Sequence, residues 1–262
     1  MSTATWLAAA GLEIPVGYSV FSSDERPDLD QAISDLLAAT WPAFMNEDEV
    51  ANEHFGRAYR DWPQFQTLLV DVAGMLVALG NAMPLQWDGT DDGLPIGWRE
   101  QILKSAEDFD AGREMNTLGA MQIAMRGDVR GVGLSGTMVG AMRAGAQASG
   151  YRAVIANVRP TWKERYPLIP IESYARWTRD DGLPFDPWMR LHARLGGRIV
   201  RVSHEALVIH GSVADWESWT GMAFPESGRY VVPRATQPIT INRERDVGVY
   251  HDQNVWMVHD ID

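Results

Sequence analysis

No cysteine occurs among the 262 residues of this chain. Its absence excludes disulfide bonds, thiolate metal sites and cysteine nucleophiles. Basic residues are also scarce: 23 Lys and Arg stand against 35 Asp and Glu, which gives a formal net charge of −12. A protein that follows the phosphates of a nucleic acid needs a basic face, so we expect no nucleic-acid partner.

The chain also lacks a long apolar run. No stretch approaches the roughly 18 uninterrupted apolar residues that indicate a membrane span, so we expect no membrane partner. Residues 1–10 contain no basic residue ahead of their apolar side chains, which argues against a secretory signal. We therefore expect a cytoplasmic protein. No cluster of His, Asp and Glu has the spacing of metal ligands, and no metal is expected.

What the chain does contain is an ordinary globular composition with many tryptophans. Hydrophobic residues make up 45% and charged residues 22%, as in a folded domain. The length fits one large domain, and no repeat or flexible linker divides it. Several of the eleven Trp lie in an irregular stretch at 159–190. We expect this insertion to be ordered, either as a wall of a substrate site or as a lid whose aromatic side chains plug the sheet.

Hydrophobic periodicity predicts a mixed α/β (α+β) domain. Apolar residues recur at helical spacing in some segments, while short β-branched runs next to turn residues favour strands in others. Two of the strands follow each other closely and predict a hairpin. The predicted strands are 17–21, 66–72, 75–83, 117–125, 152–158, 198–202 and 206–210, and the predicted helices are 28–39, 47–60, 94–109, 137–149 and 187–195.

A glycine-rich turn joins the strand at 117–125 to the helix at 137–149. It runs Arg130-Gly-Val-Gly-Leu-Ser-Gly136, with Arg126 just before it. Such a turn lets several backbone N–H groups converge on an anion at the positive end of a helix dipole. It lacks the Lys-Ser or Lys-Thr of a P-loop and the acidic partner of a dinucleotide fingerprint. The glycines could also serve only helix packing, and a nucleotide site is a further, weaker interpretation.

The segment from Ile123 to Ser135 resembles motif A of the GNAT N-acetyltransferase superfamily. In that motif a strand is followed by (Gln/Arg)-x-x-Gly-x-(Gly/Ala) at the start of a helix. Here Arg130 takes the Gln/Arg position, Gly133 takes the first Gly position, and Ser135 replaces the second Gly or Ala. Asn157 matches an Asn often found at the end of the family's next strand. The order of the predicted elements agrees with a GNAT fold.

The resemblance implies that the chain binds acetyl-CoA or another acyl-CoA as co-substrate. Backbone N–H groups of the turn would bind the CoA pyrophosphate. The end of the preceding strand would pair with the pantetheine amides, where the two central strands of the family's sheet splay apart. The cofactor-binding residues implied are Ile123, Met125, Arg130, Gly131, Val132, Gly133, Leu134, Ser135 and Asn157.

The same resemblance implies an acyltransferase that moves an acetyl or other acyl group from CoA to a small amine-type acceptor. The net charge of −12 mildly favours a cationic acceptor. An alternative is a non-catalytic CoA-binding or interaction module that kept the GNAT fold, because the family's catalytic Tyr motif is missing. The sequence indicates neither the acceptor nor the acyl chain, and it leaves open whether a homodimer forms.

Candidate catalytic residues follow from that missing motif. Many family members carry a Tyr that protonates the leaving CoA thiolate, and His192 stands at the corresponding position here. His192 is therefore a candidate general acid, with a purely structural role as its alternative. Tyr166 and Tyr174 in the insertion are further candidates for this role. Asp71 and Asp88 are candidates for the general base that deprotonates an amine.

The resemblance also suggests a division of the chain. Residues 1–211 are expected to form a GNAT-like acyl-CoA-binding domain with an insertion at 159–190, and residues 212–262 a C-terminal β extension packed on the same domain. The expected fold is a mixed, centrally splayed sheet flanked by helices. Roughly 150 residues suffice for the family's core, so the surplus is expected to determine substrate identity.

Overall fold

A computed structural model describes residues 2–129, 131 and 133–261. Arg130 and Val132, both predicted to bind the cofactor, lie outside the described residues. Within them, the strands are β1 (Tyr18–Ser22), β2 (Thr67–Asp71), β3 (Leu76–Leu85), β4 (Thr117–Met125), β5 (Ala153–Val158), β6 (Arg198–Gly211), β7 (Gly228–Tyr230), β8 (Ile239–Asn242) and β9 (Val247–Asp260). The α-helices are α1 (Thr3–Ala9), α2 (Asp30–Thr40), α3 (Glu49–His54), α4 (Arg57–Asp61), α5 (Trp98–Asp110), α6 (Leu134–Ala148), α7 (Ile171–Ala175), α8 (Pro187–Arg194) and α9 (Val213–Thr220).

One mixed sheet runs through the molecule. Its strands follow the order β1-β2-β3-β4-β5-β9-β8-β7, and β6 pairs with the other edge of β9. Only β4 and β5 are parallel, and the other described pairs are antiparallel. Helices flank the sheet, and no helix among the described residues has the length and apolar character to cross a membrane.

The two parallel strands separate halfway along their length. Their register runs from Thr117↔Ala153 to Ala120↔Ala156 and ends there, although β4 continues to Met125. At the same place the register between β3 and β4 shifts, which leaves Met121 as an extra residue in β4. An extra residue bends a strand and increases its twist, so β4 turns away from β5 and opens a cleft. The prediction of a mixed, centrally splayed sheet flanked by helices is confirmed.

Helix α1, which was not predicted from the sequence, packs closely on α6 because α6 has small residues at the contact. A Cβ at Gly145 would lie 2.4 Å from the Trp6 ring, and a Cβ at Gly140 would lie 2.8 Å from Leu12. Both glycines therefore make room for α1 and the residues after it. The predicted helix at 137–149 begins three residues earlier than expected, at Leu134.

The C-terminal part differs from its prediction. The two short strands expected at 198–202 and 206–210 are one long strand, β6, with an irregularity between Ser203 and Leu207. The segment expected to be an extension over 212–262 ends in β9, which lies inside the sheet between β5 and β6. A boundary at 211 would therefore separate β9 from the strands with which it shares its hydrogen bonds.

Candidate functional site

A cavity of about 690 Å³ lies where β4 leaves β5, a volume typical of small-molecule sites. Its walls come from both faces of the sheet. On one side, helices α6 and α8 contribute Ser135, Val139, Met142, Trp188 and His192. On the other side, helices α2, α3 and α5 and the residues that follow α2 and α3 contribute Leu37, Trp41, Met45, Asn52, Phe55 and Trp98.

The floor of the cavity carries polar groups without partners. Asn254 Nδ2 donates to Asn157 Oδ1 over 2.9 Å, which leaves Asn157 Nδ2 and Asn254 Oδ1 buried and without a hydrogen bond among the described residues. An unsatisfied buried polar group costs about 1–3 kcal/mol, so this pair is suited to a ligand that offers both a donor and an acceptor. The amides of pantetheine meet that requirement. The end of β4 that does not pair with β5 lines the same cavity as the two asparagines.

The structure brings four of the predicted cofactor residues together. Ile123, Met125, Ser135 and Asn157 all line the cavity. Leu134 instead packs in the core, where it is 2% exposed, so its side chain is not available to a ligand.

The two described glycines of the turn, Gly131 and Gly133, have the backbone conformation and the open space that suit an anion site. Gly131 and Gly133 have φ angles of +87° and +88°, and no atom lies within 4 Å of the position of a Cβ at either residue. Such φ angles favour glycine, and the open space permits close approach to the backbone at the start of the 15-residue helix α6. Arg126 pairs with Asp128 over 2.9 Å, so a neighbouring carboxylate balances part of its charge.

Two buried histidines meet at the inner end of the cavity. His192 Nδ1 and His259 Nε2 are 2.8 Å apart, and β9 places His259 opposite Val154 of β5. Burial, together with the nearby His259, lowers the pKa of His192 to about 3. Burial, together with the charge of Arg143, lowers the pKa of His259 to about 4. Both imidazoles are therefore neutral at pH 7, and His192 Nε2 has no hydrogen-bond partner among the described residues.

Neither tyrosine predicted as a general acid lines the cavity. Tyr174 is 1% exposed, and its hydroxyl donates to Asp186 Oδ2 over 2.8 Å. Tyr166 packs against Tyr174 and Trp177, with ring centroids 5.9 and 5.1 Å away. These side chains anchor the insertion to the sheet, and their placement lends no support to a catalytic role. Asp71 and Asp88 also lie outside the cavity, where they bind backbone N–H groups of their own turns.

The charged residues that line the cavity were not among those predicted from the sequence. Asp252 is fully buried, and Arg159 Nε donates to it over 3.0 Å. Thr236 Oγ1 donates to the same carboxylate over 3.1 Å, so its charge is compensated inside the protein. Glu164 is exposed at the mouth and forms no ion pair with any described residue. Its position within the 159–190 insertion was the only signal in the sequence.

The chain is similar to a known protein along almost its whole length. The chain is 30% identical to the arginine N-acetyltransferase avaD of Aspergillus versicolor over 287 aligned residues, which cover 97% of this chain and 98% of that protein. No family model matches the chain.

Two solved structures share the fold. The loading GNATL domain of CurA from Lyngbya majuscula aligns with a TM-score of 0.60 at 16% identity, over 93% of this chain and 98% of that one. The GphF GNAT-like decarboxylase in complex with isobutyryl-CoA aligns with a TM-score of 0.56 at 14% identity, over 93% of this chain and 100% of that one. At these identities the likeness extends to the fold alone.

Proposed function

Since this chain belongs to the GNAT superfamily of N-acetyltransferases, an enzyme class that transfers an acyl group from CoA to an amine, we propose that its acceptor is a cationic compound of the arginine class. The observation that carries this proposal is the relation to an arginine N-acetyltransferase across almost the entire length of both chains. The exposed carboxylate of Glu164 and the net charge of −12 support a cationic acceptor.

The co-substrate is acyl-CoA, and no group of side chains among the described residues has the arrangement of a metal site. We propose that Ile123, Met125, Ser135 and Asn157 contact its pantetheine arm, and that the backbone at Gly131 and Gly133 contacts its pyrophosphate. Two observations support this assignment: Gly131 and Gly133 have positive φ angles with open space beside them, and the amide nitrogen of Asn157 has no partner among the described residues. Arg130 and Val132 stay predictions. When bound, the thioester supplies the activated acyl group.

His192 takes the role of hydrogen-bond donor in this proposal, because a neutral imidazole does not give up its single N–H proton to a thiolate. Its imidazole is neutral, so it carries a single N–H. This role requires the tautomer in which His259 Nε2–H donates to His192 Nδ1, because the proton of His192 is then on Nε2, the nitrogen without a partner among the described residues. From there it can donate a hydrogen bond to the sulfur on which negative charge develops as the thioester breaks. Tyr166 and Tyr174 do not contribute to this step.

A thiol-release assay with acetyl-CoA tests the function. Arginine, lysine, agmatine and an arylalkylamine are offered in turn, and the products are identified by mass spectrometry. We expect CoA release and an acetylated product with arginine. Thermal stabilisation by CoA without thiol release for any amine would instead support the non-catalytic CoA-binding module.

We also propose that the enzyme works in the cytoplasm, because both acyl-CoA and free cationic amino acids are available there. Fractionation of cells that express a tagged chain tests this location, and recovery of the protein in a membrane or secreted fraction would contradict it.

A further inference from the structure

Two tryptophans line the cavity at the point where β4 leaves β5, and each is held through its indole N–H. Trp41 Nε1 donates to Gln122 Oε1 over 2.6 Å. Trp98 Nε1 donates to the backbone carbonyl of Met121 over 2.7 Å. Met121 and Gln122 are the first residues of β4 beyond its last pair with β5, so both rings are attached where the proposed function places acyl transfer.

A chain of side-chain amides fixes the orientation of Gln122. Its Nε2 donates to Asn81 Oδ1 over 2.9 Å, and Asn81 Nδ2 donates to Gln66 Oε1 over 2.9 Å. Gln66 and Asn81 are buried, and Gln66 Nε2 donates to backbone carbonyls at the end of the chain. Because each amide nitrogen already donates within this chain, the Gln122 oxygen faces Trp41. A buried network with its groups satisfied is rigid, so Trp41 is held in one position.

Because both indole N–H groups already donate within the protein, the parts of Trp41 and Trp98 left to contact a ligand in the cavity are their rings. Phe55 adds a ring stacked on Trp98, with centroids 6.0 Å apart and planes 19° apart. The face of an aromatic ring attracts a cation, and a guanidinium adds planar stacking to that attraction. Glu164, at the mouth of the same cavity, supplies a carboxylate that no described residue pairs with. The rings of Trp41 and Trp98, together with the carboxylate of Glu164, fit a planar cation.

We propose that Trp41 and Trp98 form a stacking wall that selects an acceptor bearing a guanidinium or amidinium group over one bearing an ammonium or neutral group. The inference rests on the proposed function and deepens it, because it names the chemical group recognised and the residues that recognise it. Gln122 acts as a positioning residue, because it holds Trp41 and does not itself need to contact the acceptor.

The test compares ligands of similar size that differ in charge and shape. Arginine, its neutral analogue citrulline, and lysine are titrated by calorimetry into protein saturated with CoA. Arginine should bind about tenfold more tightly than either of the others, since citrulline lacks the charge for a desolvated cation–π contact and lysine lacks the planar group that stacks on a ring. In Trp41→Leu the preference should fall to about threefold or less, while Trp41→Phe, which keeps a ring, should retain most of it.

Trp219→Leu is the matched control, because Trp219 packs on Trp216 with ring centroids 5.1 Å apart and lies outside the cavity. It should leave the preference unchanged, and CoA affinity should be the same in all variants. Equal binding of arginine and citrulline by the wild type would overturn the inference, as would an unchanged preference in Trp41→Leu. The inference would also be overturned if Trp41→Leu lost affinity for isobutyryl-CoA but not for arginine, since Trp41 would then contact the acyl chain and not the acceptor. In each case acetylation of arginine would still stand, whereas absence of thiol release with every amine would refute the proposed function itself.

Discussion

At the scale of single residues, the site depends on polar groups that the fold buries without a partner. His192 Nε2, Asn157 Nδ2 and Asn254 Oδ1 are all of this kind, and all belong to residues that line the cavity. Other described residues outside the cavity also carry such atoms, but these three can be satisfied by a ligand in the cavity that offers hydrogen-bond donors and acceptors.

His192 gives the first prediction. In His192→Phe, kcat with acetyl-CoA should fall about 100-fold, because a positioned hydrogen-bond donor to developing negative charge contributes on this scale, while KM for acetyl-CoA stays within about threefold. His192→Gln should lose less, because an amide N–H can still donate. Steady-state kinetics measure both effects, and thermal shift with CoA checks that the variants still bind the co-substrate. An unchanged kcat in His192→Phe would remove His192 from the mechanism.

Glu164 gives the second prediction. In Glu164→Gln, KM for a cationic acceptor should rise roughly twofold to fivefold, a modest effect because the carboxylate is exposed and screened by water. KM for acetyl-CoA should not change. Glu114→Gln is the control, since Glu114 is also exposed but lies outside the cavity. A loss of acceptor affinity of equal size in both variants would mean that only the overall charge matters.

At the scale of elements, the spacing of small residues in α6 determines how helices pack. Gly145 lies under the Trp6 ring of α1, whereas a Cβ at Gly136 of the same helix would meet only Leu191 Cδ1, at an ordinary distance of 3.7 Å. The two glycines occupy one helix and differ in what surrounds them, so they form a matched pair.

The third prediction uses this pair. Gly145→Ala should lower the free energy of unfolding by about 1–3 kcal/mol, because the added methyl group overlaps Trp6. Gly136→Ala should be neutral or stabilising by up to about 1 kcal/mol, because alanine favours a helix and has room there. Urea denaturation measures both. Equal stability changes in the two variants would show that α1 does not pack on α6 as described.

Most elements could be predicted from the sequence, because periodicity is a local property. β4 has the predicted bounds, and the hairpin of β2 and β3 is confirmed. The predictions failed where pairing over long sequence distances decides the outcome. β9 lies between β5 and β6 through partners about 40 to 110 residues away, and α1 packs on Gly145, which lies about 140 residues after Trp6. No local pattern reports such contacts.

At the scale of the whole molecule, the central sheet couples the site to stability. β9 carries His259 and Asn254 into the cavity and also completes the sheet beside β5. Without β9 the cavity would therefore lack these two side chains, and β5 would lose the pairing with its neighbour.

The buried histidine pair gives the fourth prediction, which concerns pH. The folded-state pKa values of about 3 and about 4 lie below the ordinary value near 6.5, so the unfolded chain binds more protons between these limits. Their contribution to stability is fully present above about pH 6.5 and is lost as the pH falls toward 4.

Melting temperatures measured between pH 8 and pH 5 test this dependence. They should decrease below about pH 6.5 in the wild type, and the decrease should be shallower in the double variant His192→Gln, His259→Gln. Stopping at pH 5 limits the contribution of carboxylates, which titrate mainly at lower pH. Identical slopes in the two proteins would show that the pair is not buried in its neutral form.

The sequence by itself determined the class of chemistry. The motif from Ile123 to Ser135, Asn157 and the order of elements indicated an acyl-CoA-dependent transferase, because a glycine turn before a helix is a local arrangement whose chemistry is carried by its own backbone. Only the tertiary structure decided which side chains share the cavity. His259 joins His192, and Trp41 and Trp98 meet at the bend of β4, because strand pairing and helix packing bring together residues that lie far apart in the chain.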